Sequence, residues 1–244
     1  MIALLRKELN GFLSSLSGYV VIIVFLISTG LLMWVVPGTD FNVLVNGYAT
    51  LDSLFIIAPW VFMFLVPAIT MRSFAEENKS GTIELLLTLP VSDMKIVLAK
   101  YLSGFLLVIL SLLPTLTYYI TVYRLANPTG NVDSSAIAGS YAGLLFLASA
   151  FVSIGVFSSA LSNNQVVSFI LAVVLSFFFH AGFDAISNAA GSGWISSLLS
   201  KPGMSLHYAS ISRGVIDTRD LVYFVSLTIF FMLLTKFIIG KRKW

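Results

Sequence analysis

Residues 72–100 read RSFAEENKSGTIELLLTLPVSDMKIVLAK, a polar interruption between the apolar runs 54–71 and 101–123. The stretch is too charged to lie in hydrocarbon and too patterned to be a slack loop. Residues 74–79 are polar around one aromatic, Phe74, and Ser80-Gly81 breaks them off. Thr82 can cap a new helix, and Ile83-Glu84-Leu85-Leu86-Leu87 follows. Pro90 stops that turn, because the residue before a proline avoids the helical region. Ser92 or Asp93 can then start the next span, with an acid beside the partial positive charge of a helix N-terminus. The pattern predicts two short helices and a sharp corner. Leu85, Leu86, Leu87 and Leu89 are too crowded for one helix face against water, so they need cover from protein or from a membrane interface. The segment reads either as a docking element through which another protein moves the membrane helices, or as an interfacial hairpin with no partner.

Working outward, the chain is 58% hydrophobic and only 10% charged, where a soluble domain carries roughly 25% charged residues. Six runs reach the ~20 apolar residues needed to cross a bilayer: about 18–36, 54–71, 101–123, 137–160, 166–183 and 219–239. The first is long and lacks a small-residue cleavage site, so a retained span is expected. An even number of spans puts both termini on one side. Ten basic residues, Arg6, Lys7, Arg72, Lys79, Lys95, Lys100, Lys236, Lys241, Arg242 and Lys243, fall on that side, against Arg124, Lys201, Arg213 and Arg219 on the other. The bias predicts cytoplasmic termini. It also accounts for the net charge of +3 without nucleic acid.

Ile2, Leu4, Leu5, Leu9, Phe12 and Leu13 recur at near-helical spacing around Arg6, Lys7 and Glu8. They predict an amphipathic interfacial helix over 1–14, either an ordinary topogenic flank or a lever that touches a partner. On the outer side, two short helices are expected at about 192–200 and 205–212, broken at Pro202-Gly203. Trp194, Ile195, Leu198 and Leu199 form an apolar stripe there, read as an outer lid or as an interfacial anchor. Pro59 and Pro67 predict kinks in span two, tolerated where neighbours satisfy the freed carbonyls. His180 lies among Phe177, Phe178 and Phe179 in span five, as a proton relay or gate or as a hydrogen-bonded neutral imidazole facing the bundle.

Several chemistries have no basis in these residues. There are no cysteines, so disulfides, thiolate metal sites and cysteine nucleophiles are excluded. No phosphate-cradling Gly-x-x-x-x-Gly-Lys-Ser/Thr loop occurs, so no ATP hydrolysis by that route and no catalytic, cofactor or metal residues are expected. Two histidines are too few for a typical histidine-rich metal site. Ser158, Ser159 and Ser162 have no evident base partner. Asp52, Arg124 and Asp184 fall at span ends. Spans one to four hold no ionisable group at mid-depth, so an ion-driven carrier is disfavoured and mechanical driving from outside the bilayer is favoured.

Glu77, Gly81, Thr82, Ile83, Glu84, Leu85, Leu86, Pro90 and Val91 stand in the register of the segment that follows span two in ABC-2 type permeases, the six-span membrane subunits of ATP-binding-cassette exporters. HYASISRGVIDTRDLVYF, residues 207–224, is similar to the segment leading into their span six. Among these permeases the chain looks most like the permease subunit of bacterial gliding-motility transporters. The resemblance implies an all-α membrane fold of the type V exporter kind. It has six transmembrane helices, an N-terminal interfacial helix, a cytoplasmic coupling helix within 72–92 and short outer re-entrant helices before span six, in one domain over 1–244. It implies that Phe74, Glu76, Glu77, Gly81, Thr82, Glu84, Leu85 and Pro90 dock on a cytoplasmic ABC ATPase, which binds the ATP and Mg, while Arg6, Lys7 and Leu9 belong to the lever.

The resulting expectation is a non-catalytic permease in the bacterial inner membrane, serving gliding motility or secretion. The alternatives are an ATPase-driven mechanotransmission complex that moves no solute and, further off, an ion-driven carrier. Six spans make half a pathway, so a second permease copy or a paralogue is expected to face them, and the gliding-motility resemblance implies a paralogue with a large outer domain. Spans two and five are expected to face it, with Pro59, Ser168, Ser176 and His180 on that face.

Overall fold

The computed structural model describes residues 1–37, 39–84, 91–191 and 193–241, the side chains of Ser17 and Asn46 excepted. Among them there is no strand. Six helices are long and apolar enough to cross a membrane: Gly18–Val35, Asp52–Ser80, Asp93–Leu125, Ser134–Leu161, Gln165–Ala189 and Thr218–Lys241. They are called spans one to six. The N-terminal helix Ile2–Leu13 lies at one end of the bundle, the near end, against the first turns of span three. The 183–218 segment closes the far end.

Span four is the centre, packed against spans two, three, five and six. Its composition explains why. Glycine, alanine and serine recur along Ser134–Leu161 and let neighbouring backbones approach closely. A Cβ on Gly155 would stand 2.0 Å from Thr70 Oγ1 of span two. One on Gly143 would stand 2.3 Å from Ile211 Cγ2 at the far end. The central window of span four is 72% buried, against 22% in spans one and five.

Span three begins at Asp93 with Ser92 as its N-cap, at the start the sequence predicts and eight residues ahead of the apolar run at 101. Its 33 residues extend roughly 50 Å at 1.5 Å per residue, beyond the ~30 Å hydrocarbon core. The excess at the near end is a polar extension that packs on the N-terminal helix. Span two keeps Pro59 and Pro67 inside one helix, Asp52–Thr70. Pro59 has no N–H for the Phe55 carbonyl. That carbonyl accepts instead from Tyr208 Oη at 2.9 Å, a neighbour satisfying the freed group.

Two short helices precede span six, Trp194–Ser200 and Met204–Ile211, separated at Pro202-Gly203. Residue 192, where the first was expected to begin, lies outside the described residues. The sequence reading gave the covering role to Trp194, Leu198 and Leu199. Trp194 and Leu198 are exposed and nothing in Trp194–Ser200 is buried, so this helix does not cover the chain's own bundle. Met204, Tyr208 and Ile211 of the second helix fill the end of the bundle instead. Ser205 donates to Asp184 of span five, Ser140 of span four donates to the Ser212 carbonyl, and His207 Nδ1 lies 2.8 Å from Asp220 of span six.

Candidate functional site

The polar interruption folds into an elbow at the near end. The apolar helix of span two ends at Thr70, and helix Ala75–Ser80, its polar extension, follows almost at once. Gly81 ends that helix with φ +71°, a left-handed cap that glycine adopts without strain. Residues 82–84 resume a helical turn, and the Thr82 hydroxyl pairs with Ser80 Oγ at 2.8 Å. Leu85 and Pro90, both expected in the docking surface, lie outside the described residues, as do Arg242 and Lys243 of the basic tail.

The elbow is fastened to the bundle at two points. Ser159 of span four accepts the N–H groups of Phe74 and Ala75 at 2.9 and 3.0 Å and donates to the Met71 carbonyl. One hydroxyl thereby serves two of the orphan donors that open a helix. Asn78 donates to the Ser162 carbonyl. The second point is Lys100. Its side chain is 1% exposed, and Nζ lies 2.9 Å from both Glu8 Oε1 and Glu77 Oε2. The Glu8 contact is a hydrogen bond, the Glu77 contact a close ion pair. Nζ also donates to the Ser73 carbonyl and sits over the Phe74 ring. Lys7 reaches Glu77 at 3.5 Å. One ammonium thus joins the N-terminal helix, the elbow and span three. Beside it opens a cavity of about 370 Å³, lined among others by Lys7, Glu8, Arg72, Glu76, Glu77 and Lys100.

The expected docking residues therefore divide. Glu76, Gly81, Thr82 and Glu84 are exposed, with Lys79 and Ser80 among them, and form an outward ridge. Phe74 is fully buried and Glu77 is turned inward to Lys100, so neither presents a docking surface in this conformation. Their physical role is to fix the elbow. Arg6 and Lys7 are exposed on the N-terminal helix, while Leu9 packs toward the core. Sequence reading assigned Lys100 to a basic flank and missed it as a hub. Helical spacing held the signal, since Lys100 shares a face with Ile96, Val97, Ser103, Gly104 and Leu107, all buried.

The residues expected to face a second permease are also corrected. Pro59, Ser168, Ser176 and His180 are all buried within the chain's own bundle. His180 lies between Trp60 of span two and Phe151 of span four, with ring centroids 5.8 and 5.9 Å away. The outward side of span five carries Val166, Val167, Ile170, Val174 and Phe177.

Among the described residues the chain is an all-helical bundle with six helices long and apolar enough to cross a membrane and a charged elbow after the second, the architecture of a multi-pass membrane protein. The family described as ABC-2 family transporter protein matches residues 41–240, and the chain belongs to that family. It is a multi-pass membrane permease, and the family implies a cytoplasmic ABC ATPase as partner. No curated protein matches the chain.

Proposed function

We propose that the chain is the permease subunit of an ATP-driven exporter, with a separate ATPase docking on the ridge formed by Glu76, Lys79, Gly81, Thr82 and Glu84. The single observation that carries this reading is the way the ridge is mounted. An exposed, charged elbow is tied through Lys100 and Ser159 to span three, span four and the N-terminal helix. A push on the ridge would reach all three elements. The near end is then cytoplasmic, both termini lie in the cytoplasm, and the membrane is the bacterial inner membrane. A second permease, a paralogue with a large outer domain, completes the pathway. It meets spans two and five through outward residues such as Ile56, Trp60, Phe64 and Ile170, which are exposed. The resemblance to gliding-motility transporters assigns the complex to motility or secretion.

The experiment is co-expression with the candidate ATPase, followed by affinity purification in mild detergent. Gly81→Pro cannot adopt the left-handed φ of the elbow, and Glu84→Arg reverses a charge on the ridge. Both should insert normally and lose the ATPase. Wild-type recovery of the ATPase with both variants would overturn the docking surface.

A further inference from the structure

Span five and its N-cap Asn164 carry polar residues at four-residue intervals, Asn164, Ser168, Ser176, His180 and Asp184, with Ala172 in the one gap. Residues four apart are neighbours on a helix surface, and Ser168, Ala172, Ser176 and His180 are all buried against the bundle. The hydroxyls among them are not equivalent. Ser168 folds back on the carbonyl four residues earlier, as do buried Thr70, Ser158, Thr228 and Thr235 in other spans. Ser176 does not. Its Oγ is fully buried and has no hydrogen-bond partner among the described residues, and the same holds for His180 Nδ1 one turn later. Two such atoms four residues apart on one helix are unusual, because buried polar groups are nearly always satisfied by protein or by ordered water. The helix changes geometry between them, into the π-turn Phe178–Gly182, a distortion that concentrates at functional sites.

We propose that Ser176 Oγ and His180 Nδ1 together hold bound water inside the bundle. Water fits the chemistry of the pair. It can donate to the imidazole nitrogen, accept from or donate to the hydroxyl, and is small enough for a site walled by Trp60 and Phe151. An apolar occupant would leave both atoms unsatisfied. A metal ion has no support, since no group of three His, Asp or Glu side chains converges anywhere among the described residues. The exchange route runs outward along the same face to Asp184, which is only half-buried and is bonded by Ser205 of the far-end helix. The site is therefore the inner end of a hydrated track that lies under the Met204–Ile211 helix.

The chain has only two histidines, so the test is direct. Protein labelled with ¹⁵N-histidine is reconstituted in bilayers, and magnetisation transfer from water to the ring nitrogens is followed by solid-state NMR. His207→Gln assigns the His180 signals. His207, 19% exposed at the far end with its ring nitrogens on Asp220 and the Lys201 carbonyl, serves as the comparison site in the wild-type protein. Transfer to His180 is expected on a timescale comparable with His207. Ser176→Ala should slow it severalfold, and Ser168→Ala should leave it unchanged. A His180 that receives no magnetisation while His207 does overturns the proposal. So does transfer that is indifferent to Ser176→Ala. Neither result bears on ATPase docking.

Discussion

At the near end one ammonium, Lys100 Nζ, gathers the Glu8 and Glu77 carboxylates and the Ser73 carbonyl, and a polar cavity opens beside it. At the far end the hairpin before span six is held by separate contacts to four spans: Tyr208 to span two, Ser212 to span four, Ser205 to span five and His207 to span six. The first arrangement gathers its ion pairs on one residue beside open space, with Ser159 and Asn78 as a second fastening. The second spreads its contacts over four spans. On the proposed function the charged end is the one expected to respond to the ATPase, and the far end the one expected to hold.

The contrast can be broken most severely at Lys100. Lys100→Met strands two carboxylates in a partly buried site. Removing one partner of a buried ion pair costs about 3–5 kcal/mol, and thermal unfolding in detergent should show a loss of that order. Adding Glu8→Gln and Glu77→Gln should recover part of it, because the stranded charges are gone. A triple variant no better than Lys100→Met would mean that the lysine acts through packing alone. The far-end counterpart is Gly143→Ala, which places a Cβ 2.3 Å from Ile211 Cγ2. Overpacking of this kind costs ~1–3 kcal/mol, and Ile211→Ala in the same chain should relieve it. Ser159→Ala removes the acceptor for the N–H groups of Phe74 and Ala75. Loss of a helix cap costs about 0.5–2 kcal/mol, and hydrogen exchange at the elbow should rise more than exchange in span four.

The smallest effect belongs to Asp133, which caps span four at the far end. Its hydrogen bond from the Ser135 hydroxyl, and then the Ala136 N–H, hold its carboxyl below the ordinary value. A carboxyl lowered by folding stabilises the protein above the unfolded value, and that contribution fades as pH falls through the folded one. The Tm difference between wild type and Asp133→Ala should therefore be present at neutral pH and close on acidification. A gap that widens in acid would reverse the assignment.

Much of this was legible in the residues. Hydropathy located all six spans, and Gly81 marked the corner of the elbow by the one property that matters there, access to a left-handed φ. The break at Pro202-Gly203 was visible for a different reason, since a proline cannot continue a helix. What escaped was direction. Hydropathy says that Ser168, Ser176 and His180 interrupt an apolar helix, but protein of the same chain and protein of a partner are equally good places for a polar face. Only tertiary packing decides between them, and it turned that face inward. Lys100 was hidden because a lysine near a span end resembles a topogenic charge. Its partners, Glu8 and Glu77, are 92 and 23 residues away in sequence, and no local pattern joins them. Ser159 was judged against a hydrolase and dismissed, whereas its work is to cap a helix 85 residues earlier.

The central claim is that the elbow and the N-terminal helix move as one body because Lys100 joins them. The absence of native cysteine allows clean spin labelling at exposed positions Lys79 and Asn10, on the two elements, with Ser134 as a far-end reference. Pulsed electron–electron resonance distances would be measured on the complex with its ATPase, with and without a non-hydrolysable nucleotide. In the wild type, the 79–10 distance should stay narrow and constant while 79–134 and 10–134 both change. In Lys100→Met the 79–10 distribution should broaden on nucleotide binding. A 79–10 distance that shifts with nucleotide in the wild type, or that is identical in Lys100→Met, would contradict the shared movement.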